Sequence, residues 1–250
     1  MPAHHEYRKE WVAAGYRPDM ASAIAVRPPR DTKFLRVYHL TSADYAMSSL
    51  ALGRLKVARF SDLNDPFELI AVNFKERPVR RVARDFKSAY DAQTGLLCFS
   101  EDWAEPLLWS HYAAKHRGIC LGFNVPRKLL QKVRYEGDRL LARLEEDENP
   151  MTLPLELQEQ LLCTKYGRWE YEHEHRRFVR LKHAVAEGPI HFMPFGKELE
   201  LAEVVVGPEC SVAVAEVRKL VSSLYIGAVT FKARLAFKFF KIVPDERSVI

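Results

Sequence analysis

The sequence predicts an α+β fold: a single domain with a twisted, split or curved mixed sheet flanked by helices. Three observations lead there. Short apolar runs suited to buried strands, such as Leu96-Leu97-Cys98-Phe99-Ser100 and Gly118-Ile119-Cys120-Leu121-Gly122-Phe123, outnumber the long helical stretches. Strands and helices do not alternate regularly, as a doubly wound sheet would require. The opening is punctuated by Pro18, Pro28 and Pro29 before any regular pattern begins. Residues 1–30 therefore read as an N-terminal extension and 31–250 as the α+β domain.

The elements follow in order. Phe34 to Leu40 reads as a strand, and Thr41-Ser42-Ala43-Asp44 offers N-capping side chains for a helix to about Leu52, stopped by Gly53. Leu55 to Phe60 alternates as a second strand and runs into the polar turn Ser61 to Pro66. Val79, Val82, Ala83, Phe86 and Tyr90 recur at helical spacing. The two apolar strands at 96–100 and 118–123 flank a helical stretch from Pro106 to Ala114. Arg139 to Pro150 ends in an acidic run and reads as a solvated loop. Leu153 to Tyr166 reads as a helix. Strands are expected at Ala202–Val206, Leu224–Phe231 and Phe237–Val243, with a helix over about Val212–Ser222.

Composition narrows the function classes. A chain of 250 residues with 48% hydrophobic and 28% charged residues is an ordinary globular protein able to bury a large core. No apolar stretch approaches the length of a membrane span, and Met1 to Glu6 lacks the pattern of a secretory signal. Cys98, Cys120, Cys163 and Cys210 are scattered, with no Cys-x-x-Cys pair, which fits a reducing cytoplasm and argues against a zinc knuckle. A cytoplasmic protein with no membrane partner and no bound metal is expected. The net charge of +5 permits an anionic partner without requiring one.

The residues with most chemical content lie at Trp169-Glu170-Tyr171-Glu172-His173-Glu174-His175-Arg176. In an extended backbone, residues two apart share a face, so Glu172, Glu174 and Arg176 are expected together. Two carboxylates held close need a cation, a substrate or a raised pKa. The plainer explanation is a solvated strand entry with a weak surface ion pair. His39 and Thr41 stand where a strand enters a helix, a place suited to an anionic or ribose-bearing ligand. Asn64, Asp65 and Glu68 belong to a turn-rich segment. Ser100 follows a buried strand, and Trp109-Ser110-His111-Tyr112 gathers two aromatics and an imidazole in four residues.

In order, Tyr38-His39-Leu40-Thr41, Asn64-Asp65-Pro66-Phe67-Glu68, Cys98-Phe99-Ser100-Glu101, Trp109-Ser110-His111-Tyr112-Ala113, His116 to Phe123, Lys165 and the Trp169–Arg176 run resemble a widespread bacterial domain of unknown function, over roughly residues 34–243. The opening strand with Tyr-His-x-Thr also resembles, more distantly, the start of ADP-ribosyltransferase-like toxins, including those that act on nucleic acids. That resemblance implies an ADP-ribosyltransferase-like sheet and NAD as substrate. It implies Glu174 as the catalytic carboxylate with Glu172 ahead of it, and His39 and Thr41 on NAD. Phe99 and Ser100 would sit on the middle strand, Arg176 on pyrophosphate, and Trp109 or Tyr112 against a ring. Asn64, Asp65, Glu68 and His111 would support the site. The expected acceptor is a nucleic acid or protein, and the expected setting a toxin or phage-defence effector with an antitoxin or neighbouring defence protein.

Two other classes fit the same residues. One is a non-catalytic nucleic-acid-binding or defence-associated module using the basic face of the 77–90 helix. The other, with less support, is a metal-dependent hydrolase using His111, His116, Glu172, His173, Glu174 and His175, whose spacing matches no defined zinc signature. Gly118 to Phe123 has the wrong spacing for a dinucleotide fingerprint, which argues against a Rossmann-type hydride transferase.

Overall fold

The computed structural model describes residues 29, 31–65, 67, 77–138 and 154–245. The elements begin with β1 (Phe34–Thr41), α1 (Ala43–Leu52), β2 (Arg54–Val57), α2 (Arg77–Gln93), β3 (Thr94–Ser100), α3 (Pro106–Tyr112) and β4 (Ile119–Pro126). They continue with β5 (Gln131–Lys132), β6 (Arg134–Glu136), α4 (Leu155–Cys163), β7 (Thr164–Tyr166) and β8 (Glu174–Arg180). The last are β9 (Val185–Glu187), β10 (Ile190–Pro194), β11 (Glu200–Val206), α5 (Val214–Leu224), β12 (Val229–Leu235) and β13 (Ile242–Pro244). The protein is α+β with mixed sheet, as the patterning predicts. The expected extension, apart from Pro29, and the acidic run from Arg139 to Pro150 lie outside the described residues.

The chain divides into two compact units that interleave in sequence. The first takes the residues up to Gly53, Glu101–Arg127 and those from Phe195 onward; the second takes Arg54–Ser100 and Lys128–Pro194. In the first unit the strand order is β13-β12-β11-β4-β1, with β11 parallel to β12 and the other pairs antiparallel. Its core is a band of apolar residues on the central strands, including Val37, Ile119, Leu121, Phe123 and Val204 to Val206. Ser42 caps α1 by accepting from the Tyr45 N–H, and Gly53 ends it in a left-handed conformation that a side chain would strain. Helix α5 packs beside β12, burying Val217 and Val221.

A bulge sets the polar content of this sheet. Pairing between β4 and β11 shifts between Leu201 and Glu203, so that Glu203 falls opposite Gly122. Tyr38 of β1 lies opposite the same glycine. Because a strand alternates faces, the one-residue shift turns Glu203 inward, into the row that holds Tyr38. Gly122 leaves the space between them: a Cβ there would stand 2.9 Å from both Glu203 Cβ and Tyr38 Cε1. The Tyr38 hydroxyl donates to Glu203 Oε2 at 3.1 Å, and Arg36 pairs with Glu203 Oε1. Arg36 Nε donates to Asn124 Oδ1 at 2.8 Å, and Asn124 Nδ2 donates to Glu200 at 3.0 Å.

The second unit carries β3 and β5 on either side of β8, a three-stranded sheet in the order β2-β10-β9, and the parallel pair β6-β7. Its core gathers Phe60, Phe86, Leu96, Leu161, Leu162 and Cys163. Helix α2 is pinned by Phe86 and by Tyr90, whose rings lie 5.3 Å apart, with Tyr90 edge-on to Phe60 at 5.6 Å. These are the apolar positions whose helical spacing predicts the helix.

Candidate functional site

In the Trp169–Arg176 run, Glu172, Glu174, His175 and Arg176 are buried, Trp169, Tyr171 and His173 half-buried, and Glu170 exposed. Residues Gly167–Glu172 form a 3-10 turn, His173 takes a left-handed conformation at φ 44°, and β8 starts at Glu174. This corrects the extended-backbone expectation for Glu172 and Glu174. The period-two rule does not link them, because a turn and one left-handed residue stand between; the carboxylates meet through that turn instead. Glu174 and Arg176 do share a face of β8. The solvated-strand explanation fails on burial: Glu172 and Glu174 are 4% and 5% exposed and Arg176 is fully buried.

Local folding places each charge. Strand β6 runs parallel to β7, which sets Tyr135 beside Lys165. The Glu174 N–H donates to the Tyr135 hydroxyl at 2.8 Å, and the Val133 N–H donates to the Glu174 carbonyl at 2.9 Å. Opposite, on β3, Ser100 pairs in register with Glu174 and Cys98 with Arg176. Lys165 Nζ donates to Glu172 Oε2 at 2.6 Å and to Glu174 Oε2 at 3.3 Å, and it lies 4.9 Å from the centre of the Trp169 ring. Arg176 grips Glu174 with two donors, Nε at 2.8 Å and Nη2 at 3.0 Å, and its Nη1 donates to the Leu162 carbonyl at 2.6 Å. Two cations thus face two carboxylates, the arrangement that buried charge requires.

Burial alone would raise the Glu174 carboxyl. The Arg176 guanidinium and the Lys165 ammonium override it, helped by hydrogen bonds from Arg176 and Cys98, and hold the group down at about 2. Glu174 is therefore an anion at every physiological pH and a poor proton acceptor. Burial pushes the Tyr135 hydroxyl well up, and pushes the Cys163 thiol up to about 12. Both stay protonated.

The remaining candidates divide between the units. In the second unit, Phe99 is buried on the face of β3 opposite to Ser100, in register with His175. The Asp65 carboxylate accepts from the Phe67 N–H at 2.9 Å as a turn former, while its buried Oδ2 has no hydrogen-bond partner among the described residues. Asn64 is exposed beside it, and Glu68 lies outside the described residues. In the first unit, His39 and Thr41 are half-buried on β1, on the face opposite to Tyr38. Trp109 is fully buried, and its indole N–H donates to the Trp103 carbonyl at 2.6 Å. It packs inside the unit, while His111 is exposed and Tyr112 half-buried. No group of three or more His, Cys, Asp or Glu side chains is arranged for a metal among the described residues, and no helix there is long and apolar enough to cross a membrane.

Sequence reasoning missed several polar residues. Lys165 carries a signal only through its place in the motif order, and Tyr135 carries none. Arg36, Tyr38 and Glu203 depend on a bulge that no residue announces. Ser110 Oγ lies 3.0 Å from His116 Nε2. That pair is held by a loop in which Ala114, Lys115 and His116 all have positive φ, at 48°, 57° and 68°. The Trp109 carbonyl accepts from both Ala113 and His116, which closes the loop.

The chain matches no family model, no curated protein and no solved structure.

Proposed function

We propose that the protein is an ADP-ribosyltransferase-like enzyme that takes NAD as substrate, with Glu172 and Glu174 of the charge-balanced cluster they form with Lys165 and Arg176 as its working carboxylates. The observation that carries this reading is that Glu174 stays ionised while buried, held by Arg176 and Lys165. Breaking the bond between nicotinamide and ribose sends the electron pair to the departing nicotinamide and leaves positive charge developing on the sugar. A fixed carboxylate in a low-dielectric surrounding stabilises such charge without reorganising.

The two carboxylates then take different roles. Glu174, held at about 2, stabilises charge but accepts no proton. Glu172, which accepts from Lys165 at 2.6 Å and stands outside the two-pronged grip of Arg176 on Glu174, is assigned the acceptor's proton as the acceptor attacks the ribose carbon. The acceptor in this reading is a nucleic acid or protein. Incubating the full chain with NAD and candidate acceptors tests the reading directly. Release of nicotinamide with transfer of ADP-ribose supports it, and a chain that neither binds nor consumes NAD removes it.

A further inference from the structure

The turn between β12 and β13 carries its apolar residues outward. Phe237, Phe239 and Phe240 are 89%, 59% and 100% exposed, although this segment reads as a strand in the sequence. The backbone beneath the rings is tied: the Ala236 N–H donates to the Lys241 carbonyl at 3.0 Å and the Lys241 N–H to the Phe239 carbonyl at 2.9 Å. Cations alternate with them. From Phe237 to Lys241 the turn holds Lys238 and Lys241 and no acidic residue, with Lys232 and Arg234 on the strand before it; Asp245, whose N–H donates to the Lys232 carbonyl at 2.7 Å, stands at the far end of the hairpin. The Arg234 guanidinium lies 4.6 Å from the centre of the Phe237 ring.

We propose that this turn is a docking platform for single-stranded nucleic acid, with Phe239 and Phe240 stacking on bases and Lys238 and Arg234 on the phosphates. Three exposed rings on a tied turn mark a contact surface. Interleaved cations, with no acid in the turn itself, suit an anionic partner, and a strand of nucleotides presents flat apolar faces and anionic phosphates in alternation. Two other occupants fit less well. A membrane would take the rings while Lys238 snorkels to anionic headgroups, but it offers no separate flat faces for Phe239 and Phe240 to stack on, and the vesicle arm of the test separates it. A second copy of the turn would set cations against cations. The basic helix α2 lacks this interleaving of aromatics, so it is not the surface chosen. The proposal does not depend on any reaction with NAD.

The test is fluorescence anisotropy of labelled (dT)20 and (rU)20 with the full chain, its Phe240→Ala variant and its Lys238→Glu variant. Both side chains are exposed, and circular dichroism checks that the fold is kept. Binding is expected to weaken about tenfold from 50 to 200 mM salt, as two to three released counterions require. Phe240→Ala is expected to weaken it about tenfold at fixed salt, the loss of one stacked base. Lys238→Glu is expected to weaken it by a similar factor and to flatten the salt dependence. No binding by the wild type at 50 mM salt overturns the proposal, as does binding that both variants retain. Binding to phosphatidylserine vesicles in place of the oligonucleotides, or self-association lost in Phe240→Ala without oligonucleotide binding, overturns it as well.

Discussion

Replacing Glu174 by Gln keeps the side-chain shape and removes the charge on which the buried cluster is balanced. Arg176 is fully buried and donates to Glu174 at 2.8 and 3.0 Å, and Lys165 adds a third contact at 3.3 Å. A carboxyl moved from its ordinary 4.5 to about 2 by these partners contributes about 3 kcal/mol at neutral pH. The loss of one partner from a buried pair costs roughly 3–5 kcal/mol in other proteins, which agrees. Because the folded value lies below the unfolded one, the contribution is complete above about pH 4.5 and disappears as pH falls towards 2. Urea unfolding of wild type and Glu174→Gln, followed from pH 7 to pH 3, measures this. The expected difference is about 3 kcal/mol at pH 7, shrinking steadily below pH 4.5. An unchanged midpoint at pH 7, or a difference that does not shrink in acid, refutes the reasoning. The same cost means that activity of this variant is to be read only at temperatures where it remains folded.

Other consequences are equally specific. Gly122→Ala places a methyl 2.9 Å from Glu203 and Tyr38 and is expected to lower stability by about 1–3 kcal/mol by overpacking, read as a fall in Tm. Glu203→Leu strands the buried Arg36 and is expected to cost roughly 3–5 kcal/mol, whereas the double change with Arg36→Leu costs less than either single one; a thermodynamic cycle in urea checks the coupling. Cys120 and Cys163 are buried, with thiols pushed up by that burial, the second to about 12. Neither is expected to react with a thiol reagent at pH 8 until the protein is unfolded, which mapping of labelled peptides reports.

Local signals were legible where the physics is local. Helix α1 shows its Ser42 cap and Gly53 stop in the sequence, because a cap is a hydrogen bond within one turn. Helix α2 shows its buried stripe through Phe86 and Tyr90. The strand expected over Phe237–Val243 shrinks to Ile242–Pro244, since Phe-Lys-Phe-Phe-Lys is rich in strand-forming aromatics and yet forms a tied turn. The strand expected from Leu224 begins only at Val229, because α5 runs on to Leu224 and Gly227, at φ 88°, turns the chain. Strands β5, β6 and β7 are two or three residues long and exist only through pairing, which no local pattern encodes. Within the candidate site, Glu172, Glu174 and Arg176 were legible as a cluster, but not how they meet. The left-handed His173 and the parallel pairing that brings Lys165 to them are tertiary facts. The inward turn of Glu203 is another, since a bulge moves a residue between faces without changing its type.

The central claim concerns NAD, and one measurement addresses it: release of nicotinamide from NAD by the wild-type chain and by Glu174→Gln, both verified as folded at the assay temperature. The account predicts turnover by the wild type in the presence of an acceptor. It predicts a near-complete loss of turnover in the variant with NAD affinity largely kept, because the carboxylate acts on charge that appears only in the transition state. Equal rates in the two proteins, or a wild type that neither binds nor consumes NAD, would contradict it and leave the cluster as a structural one.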